Sequence, residues 1–142
     1  MRLKFSLASM FGVIGSCIAS LLGGWDTALQ TLIIYMAIDY VSGLVVAAVF
    51  HKSKKSENGA LNSSVGWKGL CKKGMTLLIV LIAARLDLMS GSNIFRNAAI
   101  IGYIINETIS ITENAALMGL PLPDAIKKGI DILQKNQGEV GQ

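Results

Sequence analysis

The stretch His51–Lys73 reads HKSKKSENGALNSSVGWKGLCKK. It carries Lys52, Lys54, Lys55, Lys68, Lys72 and Lys73 against a single acid, Glu57. Apolar sequence abuts it on both sides. Thr27–Phe50 precedes it with one charge, Asp39, and Gly74–Ala84 follows with none. Lysine-rich segments this short, set between greasy runs, stay on the cytoplasmic side of a membrane because they are not translocated. The competing arrangement is a solvated loop joining two buried helices of a soluble protein. Composition decides between them. Of 142 residues, 52% are hydrophobic and only 15% charged, and the mean hydropathy is +0.55. A water-soluble domain carries about 25% charged residues. A bilayer suits this surface better than water does.

The net charge of +4 does not point to nucleic acid, since the lysines sit at the ends of apolar runs rather than among aromatics. Cys17 and Cys71 form no CxxC pair, and His51 is the only histidine. Neither a disulfide framework nor a metal site follows, and no cofactor is expected. Ser/His/Asp sets, phosphate-binding loops and dinucleotide fingerprints are absent from the sequence, so an enzyme is not expected.

Working outward toward the N-terminus, Thr27–Phe50 is long enough to cross hydrocarbon with some tilt. Asp39 near its middle is costly in lipid and must face other helices, a partner cation or water. Gly23-Gly24-Trp25-Asp26 forms a turn before it. Phe5–Gly24 is uncharged and matches the ~20 residues that a span requires. Arg2 and Lys4 ahead of it resemble the start of a signal peptide, but the run is read as a retained span. Ala8, Gly12, Ser16 and Ser20 recur every fourth residue and give one helical face on which another helix can pack closely.

Toward the C-terminus, Gly74–Met89 is a thin third span, interrupted by Arg85 and Asp87. It crosses only if Lys72, Lys73 and Arg85 snorkel, and a re-entrant helix is the alternative. Ile94–Leu117 is the fourth. Arg96, Tyr103, Asn106, Glu107, Ser110, Glu113 and Asn114 make a polar stripe on it, which lines water, packs inside a bundle or lies along the membrane surface. Residues 123–136 follow Gly119-Leu120-Pro121-Leu122-Pro123 as an amphipathic helix at the cytoplasmic face, and 137–142 as a disordered tail.

The expected fold is therefore one all-α integral membrane domain, residues 1–142, with about four spans at 5–24, 27–50, 74–89 and 94–117. Three spans plus a short or re-entrant helix is the alternative. Residues 51–73 are the cytoplasmic loop. With both termini inside, every Lys and Arg except Arg85 and Arg96 is cytoplasmic, as charge asymmetry demands. So few helices cannot enclose a wide channel alone, so homo-oligomers within membrane lipid are expected, and no nucleic acid.

Three ordered motifs add a resemblance. Asp39-Tyr40-Val41-Ser42-Gly43-Leu44 is the first. Asn62-Ser63-Ser64-Val65-Gly66-Trp67-Lys68-Gly69-Leu70, with Lys72-Lys73, is the second. The third is Tyr103-Ile104-Ile105-Asn106-Glu107-Thr108-Ile109-Ser110-Ile111-Thr112-Glu113-Asn114-Ala115, before Gly119-Leu120-Pro121-Leu122-Pro123. Together they resemble the phage-lysis and clostridial toxin-secretion holin family, over about Thr27–Asn136. The resemblance implies a protein of the bacterial cytoplasmic membrane that oligomerises into holes. Those holes release an endolysin, which it need not touch, or a large toxin. On this view Asp39, Arg85, Asp87, Arg96, Asn106, Glu107 and Glu113 are the intramembrane or pore-lining polar residues. A small proton-coupled multidrug exporter and a membrane regulator of another holin are the competing functions.

Overall fold

The computed structural model describes residues 2–140, with side chains over 6–136. The side chains of Arg2 and Lys4 and residues 141–142 lie outside that range. Five helices follow in order: α1 Arg2–Leu21, α2 Thr27–Val45, α3 Ser63–Ser90, α4 Ile94–Leu117 and α5 Asp124–Val140. There is no strand among the described residues.

Local chemistry sets the helix ends. Asp26 accepts from the Leu29 N–H at 2.9 Å and so starts α2. That helix runs on into a wider π turn, Val46–Phe50, and stops where His51 turns left-handed at φ 51°. Asn62 accepts from the N–H groups of Ser64 and Val65 and starts α3. Gly91, at φ 68°, closes it. The first turn of α4 is capped from a distance. Asp87 on α3 accepts from the N–H of Phe95 at 3.0 Å and of Arg96 at 2.8 Å, and from the Ser92 hydroxyl at 2.7 Å.

The core joins α2, α3 and α4, with α4 packed along both neighbours. Leu22, Leu29, Leu32, Met36, Val80 and Ile100 are its buried centre. Around it the surface is greasy: Ile34, Ile38 and Val41 on α2, Leu78 and Ile82 on α3, and Ile101 on α4 are all exposed. Only 28% of the most apolar window of Thr27–Phe50 is buried. In water such a surface would be a liability. In lipid the outside costs nothing, and van der Waals packing and polar contacts hold the helices together.

Thr27–Phe50, 24 residues, is the one segment among the described residues long and apolar enough to cross a membrane on length and composition. The four-span expectation is thus not established by apolar length. Two boundaries differ from expectation. The basic stretch 51–73 is a loop only to Asn62, because the Asn62 cap makes residues 63–73 the opening turns of α3. The tail is helical to Val140 rather than disordered from residue 137, since α5 continues unbroken.

Candidate functional site

Two polar clusters sit inside the three-helix bundle. The first centres on Lys73. Starting α3 at Ser63 carries Lys73 into the helix body, where it points between α2 and α4. Its Nζ donates to Asp39 Oδ2 at 2.8 Å and to Glu107 Oε2 at 2.6 Å. The side chains of Lys73, Asp39 and Glu107 keep only 14%, 7% and 8% of their exposure. One cation thus serves two carboxyl groups from different helices. Fully ionised, the triad carries one excess negative charge.

Asn114, two turns beyond Glu107 on the same face of α4, extends the cluster. Its amide donates to Asp39 Oδ1 at 3.2 Å, to the Asp39 carbonyl at 3.3 Å and to Ser42 Oγ at 2.9 Å. Next to it the Tyr40 hydroxyl donates to the Gly66 carbonyl at 3.3 Å. A Cβ on Gly66 would lie 3.5 Å from the Tyr40 hydroxyl, an ordinary contact distance. The triad borders a cavity of about 270 Å³ that Lys55, Lys72 and Glu113 also line. Lys55, Lys72 and Glu113 are exposed, so the cavity opens toward the surface on their side.

At the far end of α4 lies the second cluster. Arg96, buried, spreads its guanidinium over the turn between α1 and α2. Nε donates to the Leu22 carbonyl, and one terminal nitrogen donates to the Gly24 carbonyl at 3.0 Å. Both terminal nitrogens reach Asp26, at 2.7 and 3.2 Å. The backbone of Gly23 passes against this guanidinium at φ +91°. The Arg96 hydrogen bond holds the Asp26 carboxyl below its ordinary value of 3.8, with the Leu29 N–H helping. A carboxyl depressed in the folded state contributes stability that is full above its unfolded value and lost as pH falls through the folded one. The turn should therefore loosen only below pH ~4, and by little, because Asp26 keeps 50% of its side-chain exposure. Acid titration of Trp25 fluorescence checks this: Asp26→Asn should abolish the acid step.

The sequence-derived site residues are distributed as follows. Asp39, Arg96 and Glu107 turn inward to the two clusters, and Asp87 caps α4. Arg85, Asn106 and Glu113 are exposed. Ala8, Gly12, Ser16 and Ser20 lie on an α1 that is exposed along nearly its whole described length, and a Cβ on Gly12 would meet nothing within 4 Å. Lys52, Lys54, Lys55, Lys68 and Lys72 are exposed. Lys73 is set apart from these by its ion pairs, a role the sequence reading did not assign. Asn114 is likewise a core residue rather than one more member of a stripe.

Residues 16–135 match the bacteriophage holin family. An uncharacterized 14.9 kDa protein of Clostridium perfringens, from the nagH 3′ region, is 35% identical over 137 residues, covering 95% of each chain. An uncharacterized protein of Listeria monocytogenes is 36% identical over 132 residues, 91% of this chain and 89% of its own. A probable holin of Bacillus phage phi105 is 27% identical over 112 residues, 78% of this chain and 77% of its own. No solved structure matches the chain.

Proposed function

Because this chain belongs to the bacteriophage holin family, we propose that it assembles with copies of itself in the bacterial cytoplasmic membrane and opens holes through which a cell-wall hydrolase leaves. One observation carries the mechanism: Asp39, Lys73 and Glu107 are gathered between α2, α3 and α4, while much of the bundle's outside is apolar. A single copy in this state conducts nothing and sits quietly in lipid. In a ring, the same groups find water in the lumen and are no longer confined to one bundle. Charges that are expensive in lipid and cheap against water bias the assembled state.

The topology that fits is multi-pass, with α1 to α4 crossing and both termini inside. At 1.5 Å per residue, α3 with 28 residues is about 42 Å long, enough for ~30 Å of hydrocarbon. That length supports a third crossing in which the first turns, with Trp67 and Lys68, lie at the headgroups. The free small-residue face of α1 is the surface on which copies meet. No contact with the hydrolase is required.

Glu107→Gln and Asp39→Asn test this reading. Each leaves Lys73 with one carboxylate, a balanced pair in place of an overcharged triad. The closed bundle is stabilised, so lysis of an expressing culture should begin later than with the wild-type protein. Unchanged onset and hole size in both variants would exclude these residues from the hole. Expression alone separates an exporter, which confers resistance, from a holin, which kills abruptly.

A further inference from the structure

Helix α5 is not packed on the bundle: Ile126 is 45% and Ile132 58% exposed. At ~100° per residue, Ile126, Ile130, Leu133, Gly129 and Ile132 fall on one arc. The charges of residues 124–136 are sorted on the other. Asp131 and Asp124 lie opposite the centre of the apolar arc. Lys127, Lys128 and Lys135 lie about 40–60° to either side of that pole, back toward the apolar edge. The one ion pair among them, Lys127–Asp124 at 3.7 Å, is exposed on both sides and holds neither group firmly.

This order fits a surface that is apolar below and anionic at its margin. A bilayer leaflet with anionic headgroups has that layering, with lysines reaching the phosphates and acids held farthest away. The surface is also within reach. At ~3.5 Å per residue, the link 118–123 cannot carry the start of α5 more than about 25 Å from the end of α4. Pro121 and Pro123 prevent α4 from simply continuing through it.

We propose that α5 lies along the headgroup boundary of the leaflet where α4 ends, its isoleucine arc among the acyl chains and its lysines on anionic headgroups. This rests on α4 ending at a bilayer face, as the function above requires.

The test uses the full-length protein with Cys17 and Cys71 replaced by Ser, reconstituted in vesicles of phosphatidylglycerol and phosphatidylethanolamine. Single cysteines at I126C, I130C, K128C and D131C, and at I38C on α2, carry a polarity-sensitive fluorophore. The expected result is blue-shifted emission, quenched by spin-labelled lipid, at positions 126, 130 and 38, and water-like emission at 128 and 131. In phosphatidylcholine vesicles, positions 126 and 130 should shift back toward water. Water-like emission at 126 and 130 with lipid quenching at 38 would overturn the placement of α5 alone. Blue-shifted but unquenched emission there would mean that protein covers the arc, and would also overturn it. No quenching at 38 would remove the membrane reading and this one together. An unchanged signal in phosphatidylcholine would overturn the role of the lysines.

Discussion

Lys73→Met should loosen the bundle more than any other single change in it. Methionine fills much the same space but leaves Asp39 and Glu107, both buried, facing each other without a cation. Removing one partner of a buried ion pair costs about 3–5 kcal/mol, since the remaining charge is left uncompensated. Here two carboxyl groups are left. The expected result is a large drop in the thermal midpoint of the detergent-solubilised protein and premature lysis in expressing cells. The triple variant Lys73→Met, Asp39→Asn, Glu107→Gln should recover most of that stability, because no ionised group then remains between the helices. Failure of the triple variant to recover would show that Lys73 acts through packing rather than charge. Wild-type stability of the single variant would show that its ion pairs contribute nothing.

Why the sequence pointed to part of this cluster and not all of it is instructive. Asp39 and Glu107 stand out because a carboxylate in an apolar run has to be accounted for. Their shared partner does not stand out, because Lys73 closes a run of lysines that reads as one solvated loop. What separates it from Lys72 is helical phase, and phase depends on where α3 begins. Asn62-Ser63-Ser64 is a helix start as well as a set of turn formers. Only the hydrogen bonds from Ser64 and Val65 to Asn62 decide between the two. The polar stripe on α4 was legible from its period. Its division into buried Arg96, Glu107 and Asn114 and exposed Asn106 and Glu113 was not, because that depends on which neighbours α4 meets. Asp87 shows the same limit. Its charge is visible in the sequence, but its task of capping a helix that begins seven residues later depends on the tight turn at Gly91.

Arg96 sets the second large effect, and its geometry permits a sharper test than loss of stability. Arg96→Ala strips a donor from the Leu22 and Gly24 carbonyls and the cation from Asp26. The buried Leu22 carbonyl left without a donor costs about 1–3 kcal/mol, and the part-buried Gly24 carbonyl less. Asp26 adds little, being half exposed. Arg96→Lys should recover only a small part of this, since an ammonium cannot span three acceptors as a planar fork does. Gly23→Ala attacks the same junction from the other side. Its Cβ would lie 2.5 Å from Arg96 Nε and 2.6 Å from Cδ. The guanidinium is pinned by its own hydrogen bonds and cannot retreat without breaking them. The backbone at φ +91° adds strain of about 1–2 kcal/mol for any residue with a Cβ. The two substitutions must therefore be non-additive. With Arg96 already alanine, the clash is gone, and Gly23→Ala should cost only the backbone strain. Thermal unfolding of both single variants and the double variant in detergent measures the difference. Strictly additive losses would mean that the turn and the guanidinium do not touch, and that α1 is not fastened to α4 at this end of the bundle.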